Sequence, residues 1–410
     1  MKIVIIGAGP AGLMCAYMAS QNKNNHIVLL DKNEKIGKKL FITGKGRCNI
    51  TNLCSREDFL KNVVNNSKFL YSSLSSFTPQ DTIDFFNNNG LKTMIERGNR
   101  VFPASEKSSD VIKTFQKLLK KQNVEIILNS NVKNAYFDGK KYVVCLDKEK
   151  MLCDALVIAT GGKSYPMTGS TGDGYKIANS FSHLVVEPKP ALCPILLQDY
   201  NGELAGFSLK NVSVSIKLAG KKYSQFGEML FTHNGLSGPI ILTLSSLVNK
   251  FDLHGVTISI DLKPALDEKQ LENRLLRDFE TSKSKTLKNY LKELMPSSLI
   301  KTFLEKANLP LDEPLCDITK AQRNTIIKTL KAINFTVNSL DKIDYAIVTS
   351  GGVSVKDVDP KTMESKLNKN LFFVGEVLDV DALTGGFNIQ IALATGHACG
   401  QHLAGIEGED

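Results

Sequence analysis

The eight cysteines of this 410-residue chain include no CxxC pair and follow no regular spacing. Neither a zinc site nor a disulfide framework is indicated, and no metal is expected. That pattern fits reduced thiols and a cytoplasmic location. No apolar run reaches membrane-span length without interruption. Internal repeats and low-complexity segments are also lacking. Acidic residues are in deficit, 42 against 51 Lys and Arg, for a net charge of +9. The pairs Lys120-Lys121, Lys140-Lys141 and Lys221-Lys222 read as solvated faces, with an anionic partner such as RNA left open. At 42% hydrophobic residues, the chain can bury a large core and make two or three domains.

What is present is concentrated at the two ends. Residues 3–19 are apolar enough to imitate a secretory leader. Their punctuation is different: Lys2-Ile-Val-Ile-Ile-Gly7-Ala-Gly9-Pro-Ala-Gly12, an Ala-rich stretch, then Ile27-Val-Leu-Leu-Asp31. That is strand, glycine turn, helix, strand, acid. Gly7 permits a tight turn, Gly9 lets backbone approach a pyrophosphate, and Gly12 lets the helix pack closely on the strands. The helix N-terminus supplies free N–H groups and a positive dipole end. Asp31 falls 19 residues after Gly12, where a carboxylate accepts ribose hydroxyls. These features predict a dinucleotide site.

Two further patterns favour FAD over NAD. Asp154-Ala-Leu-Val-Ile-Ala159-Thr160-Gly161-Gly162 is an apolar strand ending in small residues, which allows close approach of a ligand. Leu371-Phe-Phe-Val-Gly375-Glu376 is followed by Thr384-Gly-Gly386-Phe-Asn388-Ile389 and an Ala-rich helix. Glu376 can bind ribityl hydroxyls while that helix points its N-terminus at the diphosphate or flavin. It can equally be a helix-cap or surface carboxylate. A ligand touched by both ends of the chain must be long, and FAD has that length. No second strand–GxGxxG–helix follows, since Gly172-Asp-Gly174 lacks the third glycine and a preceding strand. A dedicated nicotinamide domain is therefore not expected. NAD(P)H would reduce the flavin by binding transiently over the ring, unless the substrate itself is the donor.

Residues 1–187 read as α/β, with helices over 56–66, 79–89 and 108–121. From 188 the texture changes. Val212, Val214, Ile216 and Leu218 alternate with polar residues, as do Val256, Ile258, Ile260 and Leu262. Period two predicts a β subdomain over 188–263. From Pro264 the period becomes helical, with Leu271, Leu275, Leu287, Leu291, Leu299 and Phe303 marking apolar faces. A helical subdomain is expected over 264–342, with a return to the cofactor domain over 343–410.

Together these motifs resemble the BaiN/RdsA-like flavoproteins, a family known broadly as NAD(P)/FAD-dependent oxidoreductases or aminoacetone oxidase family FAD-binding enzymes. The distinctive pieces are Thr43-Gly-Lys-Gly-Arg-Cys-Asn-Ile-Thr-Asn52, Ala159-Thr-Gly-Gly-Lys-Ser-Tyr-Pro166, Thr168-Gly-Ser-Thr-Gly-Asp-Gly-Tyr175, Leu230-Phe-Thr-His-Asn-Gly-Leu-Ser-Gly-Pro239, Thr349-Ser-Gly-Gly-Val353 and Gly375-Glu-Val-Leu-Asp379. The resemblance covers essentially the whole chain. Lys45 stands where the family usually has Gly, and Asp31 where it often has Glu. The resemblance implies a glutathione-reductase-like, Rossmann-type FAD domain with a β-barrel insert and a helical insert. It implies FAD contacts near Ala11, Asp31, Lys39, Arg47, Asn49, Val132 (backbone to adenine), Glu376 and Asn388. The full expected cofactor set adds Gly7, Gly9, Gly12, Lys32, Leu40, Gly46, Thr160, Gly161, Gly375, Gly386 and Ile389. Some members are similar to enzymes acting on a steroid carbon–carbon double bond. Others resemble the enzyme that reduces a uridine of large-subunit ribosomal RNA to dihydrouridine.

Four residues are candidates for chemistry beside the flavin. Arg47 can stabilise negative charge on reduced flavin, bind a phosphate or form an ion pair. Cys48 is a nucleophile, an acid or a small packed residue. His233, in a loop of the insert expected to close over the flavin, can donate a proton, orient substrate or hold its loop. Tyr165 has the same range, from proton donor to packing. The expected activity is hydride transfer from flavin to an unsaturated substrate. The favoured substrate is ribosomal RNA uridine, which predicts a basic face beside the cleft. A small-molecule reductase or amine oxidase predicts a closed apolar pocket instead. A non-enzymatic, FAD-stabilised ribosome-assembly or regulatory factor predicts flavin that NAD(P)H does not reduce. Oligomeric state is left open.

Overall fold

A computed structural model describes residues 1–198 and 200–406. The chain divides into two compact units, residues 1–191 with 343–410 and residues 192–342.

The first unit is built on a parallel five-stranded sheet, in the order Leu371–Phe373, Ala155–Ile158, Lys2–Ile6, His26–Leu30, Glu125–Ile127. The central strands read KIVII, HIVLL and ALVI because a parallel sheet is covered on both faces. Ile3, Val4, Ile5 and Val157 are fully buried. The helices Pro10–Ala19 and Phe387–Ala404 pack in parallel. An added Cβ on Gly396 would lie 2.3 Å from the Ala11 carbonyl oxygen, and one on Gly400 would lie 2.6 Å from that of Cys15. Glycine at both positions is what lets the helix axes approach. The buried thiols of Cys15 and Cys399 sit 3.6 Å apart in this seam. Two small antiparallel sheets flank the core, Thr51–Asn52 with Arg100–Pro103 and Thr93–Glu96, and Asn134–Phe137 with Tyr142–Cys145 and Lys150–Cys153.

The second unit contains a closed six-stranded barrel. It runs Ile195–Leu197, Gly235–Ser237, Lys221–Phe231, Ser208–Leu218, Thr257–Asp261, Ile333–Leu340. The helices Pro239–Val248, Glu268–Thr281, Ser297–Ala307 and Lys320–Lys331 belong to the same unit. The alternation of Val212, Val214, Ile216 and Leu218 points these side chains inward.

Three sequence expectations change here. The boundary after 187 falls inside the strand Val185–Ala191, which pairs antiparallel with Val348–Val353 in the first unit. The helical reading of 264–342 misses Ile333–Leu340, which closes the barrel. Ile333, Phe335 and Val337 alternate inward there, but the strand follows helix Lys320–Lys331 with one residue between. The helix expected over 56–66 ends at Lys61. Val63 then bridges to Ala382.

His397, on the C-terminal helix, stacks on Phe77 with ring centroids 4.5 Å apart. Burial pushes its pKa down to about 4, against a small opposing pull from Asp81. A depressed histidine pKa means the unfolded chain binds the proton first. Stability is therefore full above about pH 6.5 and falls as pH drops toward 4. Over that window His397→Phe should lose about 2 kcal/mol less than the parent, measured by urea unfolding. Equal losses in the two proteins would show that the imidazole stays solvated.

Candidate FAD site

The turn after the first strand has one open position and two closed ones. A Cβ on Gly7 would meet the Ala159 carbonyl oxygen at 2.4 Å, and one on Gly12 would meet the Gly7 carbonyl oxygen at 1.9 Å. A Cβ on Gly9 would meet nothing within 4 Å. Gly9 is the N-cap of helix Pro10–Ala19, with no side-chain cap and no acid in the first turn. The first-turn N–H groups of this helix have no side-chain cap and the space beside Gly9 is open, which fits a diphosphate. The C-terminal helix begins the same way, capped by Gly386 at φ 101° with no side-chain cap and no first-turn acid. Gly396 lies level with Ala11, so this second N-terminus leads the first by about 12 Å at 1.5 Å per residue. Two uncapped helix ends offset along one direction suit an extended anionic ligand.

Asp31 ends the second strand. Its carboxylate accepts from the Ala8 N–H at 2.8 Å and from the Asn33 N–H and side chain at 2.8 and 2.9 Å. A carboxylate has about four acceptor sites, so capacity for a ribose is left. Ser130 N–H donates to the Asp31 carbonyl and Asn129 N–H to that of Asn33. These bonds tie the segment leading to the buried Val132 to the strand end at Asp31. Lys32 does not extend into open space, because it pairs with Asp173 at 2.6 Å and also bonds Thr171.

Lys39 and Glu376, 337 residues apart, form one cluster. The Lys39 ammonium donates to the Glu376 carboxylate at 2.8 and 3.0 Å and to Ser164 Oγ at 2.6 Å. Ser164 Oγ and the Thr349 N–H also donate to Glu376. The missing side chain of Gly162 makes the room, since a Cβ there would lie 2.4 Å from Thr349 Oγ1. Ser164 and Thr349 lie in the glycine-flanked motifs of the sequence but received no role there. Thr160 Oγ1, Asn49 Oδ1 and Thr51 Oγ1 are buried and make no hydrogen bond within the protein. They fit a ligand bearing several polar groups.

The remaining expected residues divide. Gly161 and Gly375 occupy left-handed backbone at φ 74° and 75°. Gly375 N–H donates to Thr395 Oγ1 at 3.0 Å. Gly46 is open, and Leu40 is buried. Asn388 spends its side chain on the Ala382 N–H and carbonyl at 2.9 and 2.7 Å, so only its backbone N–H and that of Ile389 remain for a ligand. Lys45 sits at φ 56°, the left-handed region that glycine prefers, which accounts for glycine in the family pattern there.

Arg47 takes the ion-pair form of its several readings. Its guanidinium bonds Glu96 and Glu106 and lies 4.3 Å over the Phe102 ring. Cys48 is fully buried, and burial pushes its thiol up to about 12, so it is a packed residue and not a nucleophile. Tyr165 is half-buried in left-handed backbone, with its N–H on the Asp344 carbonyl at 3.2 Å. His233 is exposed on the turn between barrel strands Lys221–Phe231 and Gly235–Ser237. The two belong to different units. Among the described residues, no helix is long and apolar enough to cross a membrane, and no cluster of His, Cys, Asp and Glu could hold a metal.

Comparison with known proteins shows the family. The model of the HI0933-like protein Rossmann domain matches residues 1–402. The chain is 32% identical over 405 residues to the ribosomal RNA dihydrouridine synthase of Escherichia coli, covering 98% of this chain and 97% of that protein. It is 28% identical over 407 residues to the 3-dehydro-bile acid delta(4,6)-reductase of Clostridium scindens, covering 98% and 99%. Among solved structures, the 3-ketosteroid delta1-dehydrogenase of Sterolibacterium denitrificans shares the fold, with a TM-score of 0.53 and 12% identity over 99% of both chains. The chain belongs to the HI0933-like family, the BaiN/RdsA-like flavoproteins that its motifs resemble, and is an FAD-dependent oxidoreductase.

Proposed function

We propose that this enzyme reduces a uridine of large-subunit ribosomal RNA to dihydrouridine in the cytoplasm, with NAD(P)H as transient reductant. The observation that carries the reading is the end-to-end match to the ribosomal RNA dihydrouridine synthase, at 32% identity. The net charge of +9 supports a polyanionic substrate. Bound FAD supplies the hydride for one carbon of the double bond. The chain supplies position and a proton for the other carbon. Asp31, Lys39 and Glu376 hold the ribose and ribityl hydroxyls, and the two uncapped helix ends receive the diphosphate and the flavin. With Cys48 packed away and Arg47 neutralised, Tyr165 and His233 are the proton donors to test. The bile acid reductase, which covers as much of the chain, supports a second reading with a small unsaturated substrate.

Mass-spectrometric nucleoside analysis of ribosomal RNA from cells with and without the gene separates the two. The expected result is loss of dihydrouridine in the deletion strain, restored when its RNA is incubated with the protein and NAD(P)H. Restoration should fall at least about tenfold with whichever of Tyr165→Phe and His233→Gln removes the donor. Unchanged dihydrouridine, together with rapid flavin reduction by NAD(P)H alone, would leave the small-molecule reading.

A further inference from the structure

The glycine loop 43–47 and the hairpin Thr93–Glu96/Arg100–Pro103 share one face. Ser108 Oγ donates to the Phe41 carbonyl at 2.6 Å, and Arg47 reaches Glu96 and Glu106, so the two segments are stitched together. Residues 41–47 and 92–107 carry six basic side chains and two acidic ones. Both acids are engaged by Arg47, and Glu96 also by Arg100 at 3.5 Å. Lys45 and Arg97 remain exposed with no acid left in these segments to pair with them, and Lys107 is exposed within electrostatic reach of Asp110. Phe41 and Ile42, which lead into the loop, expose large apolar side chains at 54% and 42%.

We propose that this face binds single-stranded ribosomal RNA, with Arg97 and Lys107 on phosphates and Phe41 against a base. The proposal rests on the RNA reading of the enzyme's function. Cations interleaved with exposed apolar and aromatic groups match a polyanion whose bases have apolar faces. A free phosphate or small anion would leave the apolar part unused. The position is favourable for delivery. Asn52 Nδ2 donates to both the Gly98 and Gly385 carbonyls at 3.0 Å, tying the hairpin tip to the glycine turn that opens the C-terminal helix. RNA held here lies beside the helix end expected to meet the flavin.

The test uses the FAD-loaded full chain and protein-free large-subunit ribosomal RNA, with binding measured over a range of salt. Arg97→Glu/Lys107→Glu should raise Kd at least about tenfold and lower the salt slope by about 1.4, two contacts at about 0.7 each. Phe41→Ala should raise Kd about threefold or more with the slope unchanged, because stacking is not ionic. Lys140→Glu/Lys148→Glu makes the same charge change on the two turns flanking strand Tyr142–Cys145 and should stay within about twofold. Flavin content and NAD(P)H-driven flavin reduction should be unchanged in all three. Equal losses in the two charge-reversed variants would overturn this face while leaving the RNA reading intact. A parent enzyme that binds no RNA and makes no dihydrouridine would overturn both.

Discussion

Gly9→Ala is expected to weaken FAD binding about tenfold or more while the apoprotein keeps nearly its full stability, whereas Gly12→Ala should lose both. The two substitutions add the same methyl group one helical turn apart. At Gly9 the added carbon meets no protein atom within 4 Å, and φ −78° with ψ −179° suits alanine. The protein therefore loses at most about 1 kcal/mol, from a poorer helix N-cap. The methyl instead occupies the space through which a diphosphate approaches the first-turn N–H groups, and a tenfold loss is about 1.4 kcal/mol of binding. At Gly12 the carbon would stand 1.9 Å from the Gly7 carbonyl oxygen. The carbon meets a backbone atom that cannot swing aside, so the helix has to move away from the turn. A cost of about 3 kcal/mol follows from overpacking, with FAD lost as the turn deforms. Urea unfolding of apoprotein and titration with FAD measure both quantities. A Gly9→Ala protein with parental FAD affinity would place the diphosphate elsewhere.

The Lys39–Glu376 pair should show an equally large effect of a different kind. Both side chains are about four-fifths buried, at 21% exposure each. Glu376→Leu leaves the Lys39 ammonium and the Thr349 N–H without the carboxylate that accepts from both. Leaving a largely buried charge without its partner costs about 2–4 kcal/mol of stability. Adding Lys39→Met removes that charge, and most of the lost stability should return, since an apolar pair of similar volume is often nearly neutral. FAD affinity should stay low in both variants, because neither retains the carboxylate proposed to bind ribityl hydroxyls. If affinity recovers along with stability in the double variant, the pair only braces the strand ends.

Much of this site is legible in the sequence because its parts are local. The turn Gly7–Gly12 needs three glycines at fixed offsets, because tight turn, ligand approach and helix packing recur at the same places in every βα unit of this kind. Continuous apolar strands announce a sheet covered on both faces, and Asp31 announces itself by its place at a strand end. The barrel was half legible. Val212–Leu218 shows its period, but Ile333–Leu340 lies close behind a helix whose apolar period masks it. Ring closure is a pairing between strands far apart in sequence, and no single strand encodes it.

Cys48 and Arg47 show where local reading stops. Both follow the same two glycines, and the sequence leaves each between a chemical role and a structural one. Tertiary packing favours the structural one, by burying the thiol completely and by placing Glu96 and Glu106 against the guanidinium. A side chain's chemistry depends on its dielectric surroundings and neighbouring charges, which come from segments far along the chain. The sequence by itself determined the βα unit, the cofactor class and the presence of an inserted β element, because these follow from spacing within short windows. Only the tertiary structure decided that Lys39, Ser164, Thr349 and Glu376 make one cluster, and that two uncapped helices point the same way. Those facts depend on long-range contacts across more than three hundred residues, which spacing within a short window cannot specify.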